Sequence, residues 1–290
     1  MKVPGISLPD VAEAGFVDGD ELALVVENND LKLKSLQSLL MQGLSIPRTI
    51  WKSGVPAVIF AGDGGSNGLS FDGTRGLFTL SAAPLANFSV MLTTGGYGYL
   101  PAGAGGIVTA GWYFVKMTSA TTGEFFNATY SGVGNPAVPV SPTPFANLSA
   151  GRITQSTNEL TFASCILPGG SMGPSGIIRA TAAMRATSSA NQKRIKVYVG
   201  SDLILAYTPT TSSVSDFSST RQNAGSEALQ TGVDFANVQR DGSASTAMGA
   251  TSATSANTAV DSVCSMTLQI VNNTESVLGI FRVIAVQYGA

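Results

Sequence analysis

Over its final third the chain repeats one pattern, apolar side chains at every second position in short runs broken by turn residues. Ile178, Ala180, Ala182 and Met184 alternate with Arg179, Thr181, Ala183 and Arg185. Ile195, Val197 and Val199 alternate with Lys196 and Tyr198, and Leu203-Ile204-Leu205 follows the turn Gly200-Ser201-Asp202. Met266, Leu268 and Ile270 alternate with Thr267, Gln269 and Val271. A period of two sends successive side chains to opposite faces of a strand, and a helix cannot use it. Such runs between turns predict a jelly-roll-like β-sandwich over residues 151–290. Asn272-Asn273-Thr274 leads into Val277–Tyr288, which is apolar on both faces and so belongs in a central or interface position. Thr208–Thr220 and Gly242–Thr258 are rich in Ser, Thr and Ala, and read either as loops or as long edge strands.

The charges divide the rest. Residues 1–50 hold 11 of the 34, residues 51–150 only 6, and residues 151–290 the other 17. This predicts three parts, with boundaries at 1–45, 46–150 and 151–290. In the first, Glu21–Glu27 reads as a strand, Asn28-Asn29-Asp30 as a turn and Leu31–Lys34 as the returning strand. Ser35 then occupies an N-cap position before Leu36, Leu39, Leu40 and the Gly43 stop. A hairpin and a two-turn helix are too small to enclose a core. Leu22, Leu24, Val26, Leu31, Leu33, Leu36, Leu39 and Leu40 are therefore the expected docking surface. The middle part is Gly-rich and aromatic, with strands expected at Leu77–Leu80, Trp112–Met117 and Phe125–Tyr130. Pro136, Pro139, Pro142 and Pro144 mark an extended connector at 135–145. The overall class is mainly β.

Composition removes several kinds of chemistry. The chain has no histidine, so it has no Ser-His-Asp triad, Cys-His dyad or His-ligated metal. A net charge of −2 argues against nucleic acid as a partner. No apolar run approaches the ~20 residues of a membrane helix, and the amino terminus lacks the apolar stretch of a secretory leader, so membrane insertion is not expected. Cys165 and Cys264 lie far apart without a CxxC pattern and are expected as buried, reduced thiols. Gly103-Ala104-Gly105-Gly106 reads as a tight turn rather than a phosphate cradle. Asp63, Asp72, Glu124 and Glu159 are the acids of the charge-poor region, and nothing in their spacing pairs two of them as glycoside hydrolysis requires. Lys193-Arg194-Ile195-Lys196 is the one basic cluster and reads as a strand's wet edge in preference to a contact for polyanionic cell-surface sugar. Tyr97, Tyr99, Trp112 and Tyr113 are candidates for stacking on sugar rings, against a core or interface role. No cofactor and no enzymatic activity are expected.

Two stretches resemble phage structural proteins. Asp18 to Leu36, with an acidic turn, a Leu-Ala-Leu-Val-Val strand, a polar turn and a basic strand, is similar to the short amino-terminal module of phage tail-fibre and virion-appendage proteins. Leu167-Pro168-Gly169-Gly170-Ser171-Met172-Gly173-Pro174, continuing through Arg194–Gly200 to the carboxyl terminus, is similar to a β-sandwich domain that ends many such chains. Leu100–Gly105 and Met117–Gly123 resemble regions that precede that domain. The resemblance implies a homotrimer made in the host bacterial cytoplasm and resident in the virion. It would dock to other virion proteins of tail or capsid through residues 1–45 and meet host cell-surface glycan. The expected form is a short trimeric tail fibre or tail appendage, with a head fibre or capsid-decoration protein as the alternative and a capsule-degrading tailspike as a rival of another class.

Overall fold

The computed structural model describes the strands Leu22–Glu27 and Asp30–Ser35, and residues 47–290 except 64, 66, 85–87, 188, 209–213, 241–242, 249–251 and 290. It is mainly β, 50% strand and 3% helical. The chain divides into two compact units, Met1–Ile46 and Pro47–Ala290.

In the first unit, β1 (Leu22–Glu27) pairs antiparallel with β2 (Asp30–Ser35), with Leu24 opposite Leu33 and Val26 opposite Leu31. Asp30 belongs to the strand rather than to the turn, and Ser35 is the last residue of β2. The expected helix, with Leu36, Leu39 and Leu40, lies outside the described residues.

In the second unit the strands are β3 (Arg48–Lys52), β4 (Ala57–Ile59), β5 (Leu69–Phe71), β6 (Leu77–Leu80), β7 (Gly96–Leu100), β8 (Gly111–Met117), β9 (Thr122–Tyr130) and β10 (Gly151–Arg152). They continue with β11 (Leu160–Leu167), β12 (Ile177–Ala186), β13 (Lys193–Val199), β14 (Asp202–Tyr207), β15 (Val214–Asn223) and β16 (Gln230–Arg240). The last four are β17 (Ser243–Met248), β18 (Ser252–Thr254), β19 (Ser262–Ile270) and β20 (Val277–Gln287). A 14-stranded sheet runs β10-β5-β6-β9-β8-β7-β4-β20-β12-β15-β16-β17, with β3 also on β20 and β18 also on β16. A second sheet runs β11-β19-β13-β14. The described residues of the two Ser/Thr-rich stretches are mostly strand, in β15, β17 and β18.

Alternation explains why this sheet has two cores. On β8, Trp112 and Phe114 enter one apolar cluster, while Tyr113, Val115 and Met117 enter another. The first cluster lies between the two sheets and joins Ile195, Val197, Met266 and Leu268 to Ile178, Ala180, Phe281 and Ile284. Gly279 permits that approach, since a Cβ there would stand 2.7 Å from Leu268 Cδ2 and 3.0 Å from Ile195 Cδ1. The second cluster fills the opposite face and is aliphatic around a knot of phenylalanines. The Phe125 ring lies 6.2 Å from Phe60, 6.0 Å from Phe71 and 5.2 Å from Phe78.

The composition break near residue 150 is not a break in the fold. β20, near the carboxyl terminus, pairs with β12 and also with β3 and β4 from the middle segment. It is central and fills both cores from one chain, with Val277 in the first and Leu278 in the second. Its two apolar faces, read from the sequence as marking a central or interface position, are covered within the protomer. The Pro-rich stretch carries no regular strand but is strapped to the sheet. The Tyr97 hydroxyl donates to Ala137 O (2.8 Å), Asn127 N donates to Thr143 O (2.8 Å) and Leu148 is buried.

The basic cluster is likewise not an edge. β13 lies inside the smaller sheet, and its alternation buries Lys193 while Arg194 and Lys196 stay partly exposed. Lys193 Nζ donates to Ser189 Oγ (3.0 Å) and lies 3.8 Å from the buried Glu275 carboxylate. Thr187 Oγ1 (2.5 Å) and Asn191 Nδ2 (2.9 Å) donate to the two Glu275 oxygens. Burial pushes the Glu275 carboxyl up, but these hydrogen bonds and Lys193 outweigh it and hold the group below its ordinary 4.5. A carboxyl depressed in the folded state binds fewer protons there than when unfolded, so its stabilisation is present above 4.5 and is lost as pH falls through the folded value. Thermal unfolding should therefore soften below about pH 4.5, while near neutrality the stabilisation is fully present and this residue adds no pH dependence. A Tm–pH profile of Glu275→Gln that kept the full acid slope would contradict this.

Candidate functional site

An open groove of about 470 Å³ lies between the β8–β9 part of the large sheet and edge strand β11. Its wall is built from both segments of the chain: Tyr99 on β7, Trp112 on β8, Tyr130 on β9, then Ser131 and Gly132, and Glu159, Thr161 and Ser164 at β11. Backbone and indole hydrogen bonds fix the seam. The chain leaving β9 lies along the free edge of β11, where Ser164 N donates to Gly132 O (2.7 Å). Trp112 Nε1 donates to Thr161 O (2.7 Å), and Trp51 Nε1 and the Tyr130 hydroxyl both donate to Gly134 O (2.8 and 2.7 Å).

The rings are mutually braced. Tyr99 stands 5.4 Å from Trp112 at 67°, Trp112 is 5.1 Å from Phe162, and Tyr130 is 5.2 Å from Phe162. Trp112 is only 5% exposed and acts as the floor beneath Tyr99 and Tyr130, which are half-buried and face the opening. Burial pushes the Tyr130 phenol up to about 12, so both tyrosines are neutral hydrogen-bonding groups at physiological pH.

Glu159 supplies the charge. Its Oε2 accepts from Lys196 Nζ (2.6 Å) and its Oε1 from Thr267 Oγ1 (2.6 Å), while Lys196 also reaches the Tyr198 hydroxyl (3.0 Å). Burial raises the Glu159 carboxyl, the bonds from Lys196 and Thr267 lower it more, and it sits below the ordinary 4.5. It is ionised and paired, a hydrogen-bond acceptor rather than a proton donor. A groove of this size with apolar ring edges, hydroxyls and one fixed carboxylate suits a neutral, polyhydroxylated ligand.

The other acids from the sequence reading lie elsewhere, each with its own partner. Asp63 pairs with Arg152 (3.6 Å), Glu124 with Arg75 (2.5 Å), and Asp72 accepts from Thr74 N (2.7 Å). Among the described residues no three His, Cys, Asp or Glu side chains gather as metal ligands. Gly103 to Gly106 form a tight turn with φ of 87°, 57° and 85° at Gly103, Gly105 and Gly106. The Gly103, Ala104 and Gly106 amides are used inside that turn, so no cradle of free N–H groups remains. Of the four aromatic candidates, Tyr97 and Tyr113 are buried in opposite cores, while Tyr99 and Trp112 belong to the groove. Tyr130 and Thr161 were not among the sequence candidates. Tyr130 shares a face with Phe126 and Ala128 by alternation, but no local pattern says that β11 lies across from it. The docking leucines of β1 and β2 are placed only by register in a separate unit, and Leu36, Leu39 and Leu40 are outside the described residues.

No family model, curated protein or solved structure matches this chain.

Proposed function

We propose that this protein is a structural component of a bacteriophage virion, a short trimeric tail fibre or tail appendage that takes part in host attachment. The observation that carries this reading is the division into a small β1–β2 unit and a large, charge-poor β unit that bears a braced tyrosine groove. Residues 1–45 dock on another virion protein, and the groove contacts a host cell-surface glycan. In the β-sandwich of the larger unit, the exposed residues Ile166 and Val263, each 51% accessible and opposite one another in register, support a contact between copies. A head fibre or capsid-decoration protein would be built the same way, and density on the tail or on the capsid lattice of particles separates the two. Against a capsule-degrading enzyme stands the pairing of Glu159, the acid that lines the groove, with Lys196, while Glu124 and Asp63 pair with Arg75 and Arg152 away from it.

Two measurements test this. A chain lacking residues 1–46 should fold and melt cooperatively but fail to join particles, as should full-length Leu36→Asp with Leu40→Asp. Normal incorporation of either would overturn the docking assignment. Tyr99→Ala should leave Tm within a few degrees and weaken binding to host polysaccharide roughly two- to tenfold, the loss of one stacked ring, about 0.5–1.5 kcal/mol. Unchanged binding by Tyr99→Ala and Tyr130→Ala together would remove the groove from the reading.

A further inference from the structure

The two cysteines, 99 positions apart in sequence, are directly opposite in the β11–β19 register. Their neighbours show which kind of pair this is. Ser164 N donates away from β19, to Gly132 O, and Val263 O accepts away from β11, from Gly200 N. Alternation then turns the backbone groups of Cys165 and Cys264 toward each other, the wider of the two antiparallel pairings, with Cα atoms about 5.5 Å apart. Disulfides span Cα separations of roughly 4.4–6.8 Å. Both residues belong to the inner side of the smaller sheet, Cys264 within the first core and Cys165 half-buried against it. Both are free thiols.

We propose that Cys165 and Cys264 are a redox-closable pair that forms a reversible cross-strand disulfide in the folded protein. A small-molecule disulfide such as oxidised glutathione is the oxidant. Cys165 attacks first because it is the accessible member, on an edge strand beside Ser164 of the groove. A hydrogen bond between the thiols favours ionisation at Cys165, outweighing its burial, and opposes it at Cys264. Attack breaks the glutathione S–S bond, and one glutathione leaves with the Cys165 proton. Cys264 then attacks the Cys165 sulfur, and the second glutathione leaves with the Cys264 proton. Two protein thiols and one small disulfide become one protein disulfide and two small thiols. The product ties edge strand β11, one wall of the groove, to the interior strand β19.

The test uses the full wild-type chain, held native in oxidised and then reduced glutathione, alkylated and mapped by non-reducing peptide mass spectrometry, with a melt alongside. The expected product is one cross-linked peptide pair containing residues 165 and 264, reversed by dithiothreitol, with Tm higher by roughly 5–15 °C. Cys165→Ala and Cys264→Ala should each lose both the cross-link and the Tm rise; if either fails to fold, the wild-type map and melt still decide. Glutathione retained on Cys165 with Cys264 free, a Cys165–Cys165 link between copies, or no reaction until the chain is unfolded would each overturn the proposal.

Discussion

Glu275→Leu is expected to destabilise the protein by about 3–5 kcal/mol, because it leaves the Lys193 charge buried without its counter-charge. The Lys193 side chain is 0% exposed and that of Glu275 4%, so water cannot take over the lost interaction. The same change strips Thr187 and Asn191 of their acceptor. In urea, the midpoint should fall with an unchanged slope. The double variant Lys193→Met with Glu275→Leu should recover much of the loss, since replacing both members by apolar groups removes the desolvation cost as well as the attraction. A double variant as unstable as the sum of the two singles would show that the network acts through shape rather than charge.

Phe125→Ala should cost about 3–5 kcal/mol through the cavity left among packed rings. Phe125 is fully buried and touches three other phenylalanines of the second core. How the loss shows itself is more informative than its size. Because β20 carries Val277, Phe281 and Ile284 into one core and Leu278 into the other, damage to the second core must be transmitted to the first. Residues 47–290 should therefore still unfold in one transition, shifted as a whole. A low-temperature transition for the second core with the first melting at its usual temperature would show two independently folding parts.

Local patterns located half of the described strands. The alternations at Ile178–Arg185, Ile195–Val199 and Met266–Ile270 lie in β12, β13 and β19, and the aromatic run Trp112–Met117 is β8. They could be read because a strand with one or two packed faces prints a period of two on its own sequence. The groove was half legible. Tyr99, Trp112 and Glu159 stood out by residue type, but Tyr97 and Tyr113 looked the same and are core. Burial of an aromatic depends on which sheet lies over it, and that information is not local.

What the sequence by itself determined was chemistry and class: a β-rich chain, no histidine, few charges, and thus no histidine-based catalysis. What only the tertiary structure decided was which distant segments meet. Sequence split the chain at residue 150 by charge, yet β20 binds both halves, because hydrogen-bonded pairing depends on edge and register and is indifferent to composition. Lys193 looked like one more wet-face cation, and it is buried because Glu275, 82 positions away, neutralises it. Cys165 and Cys264 carried no spacing signal at all. Their opposition follows from the register of β11 on β19, set by the apolar residues that both strands must place in the core.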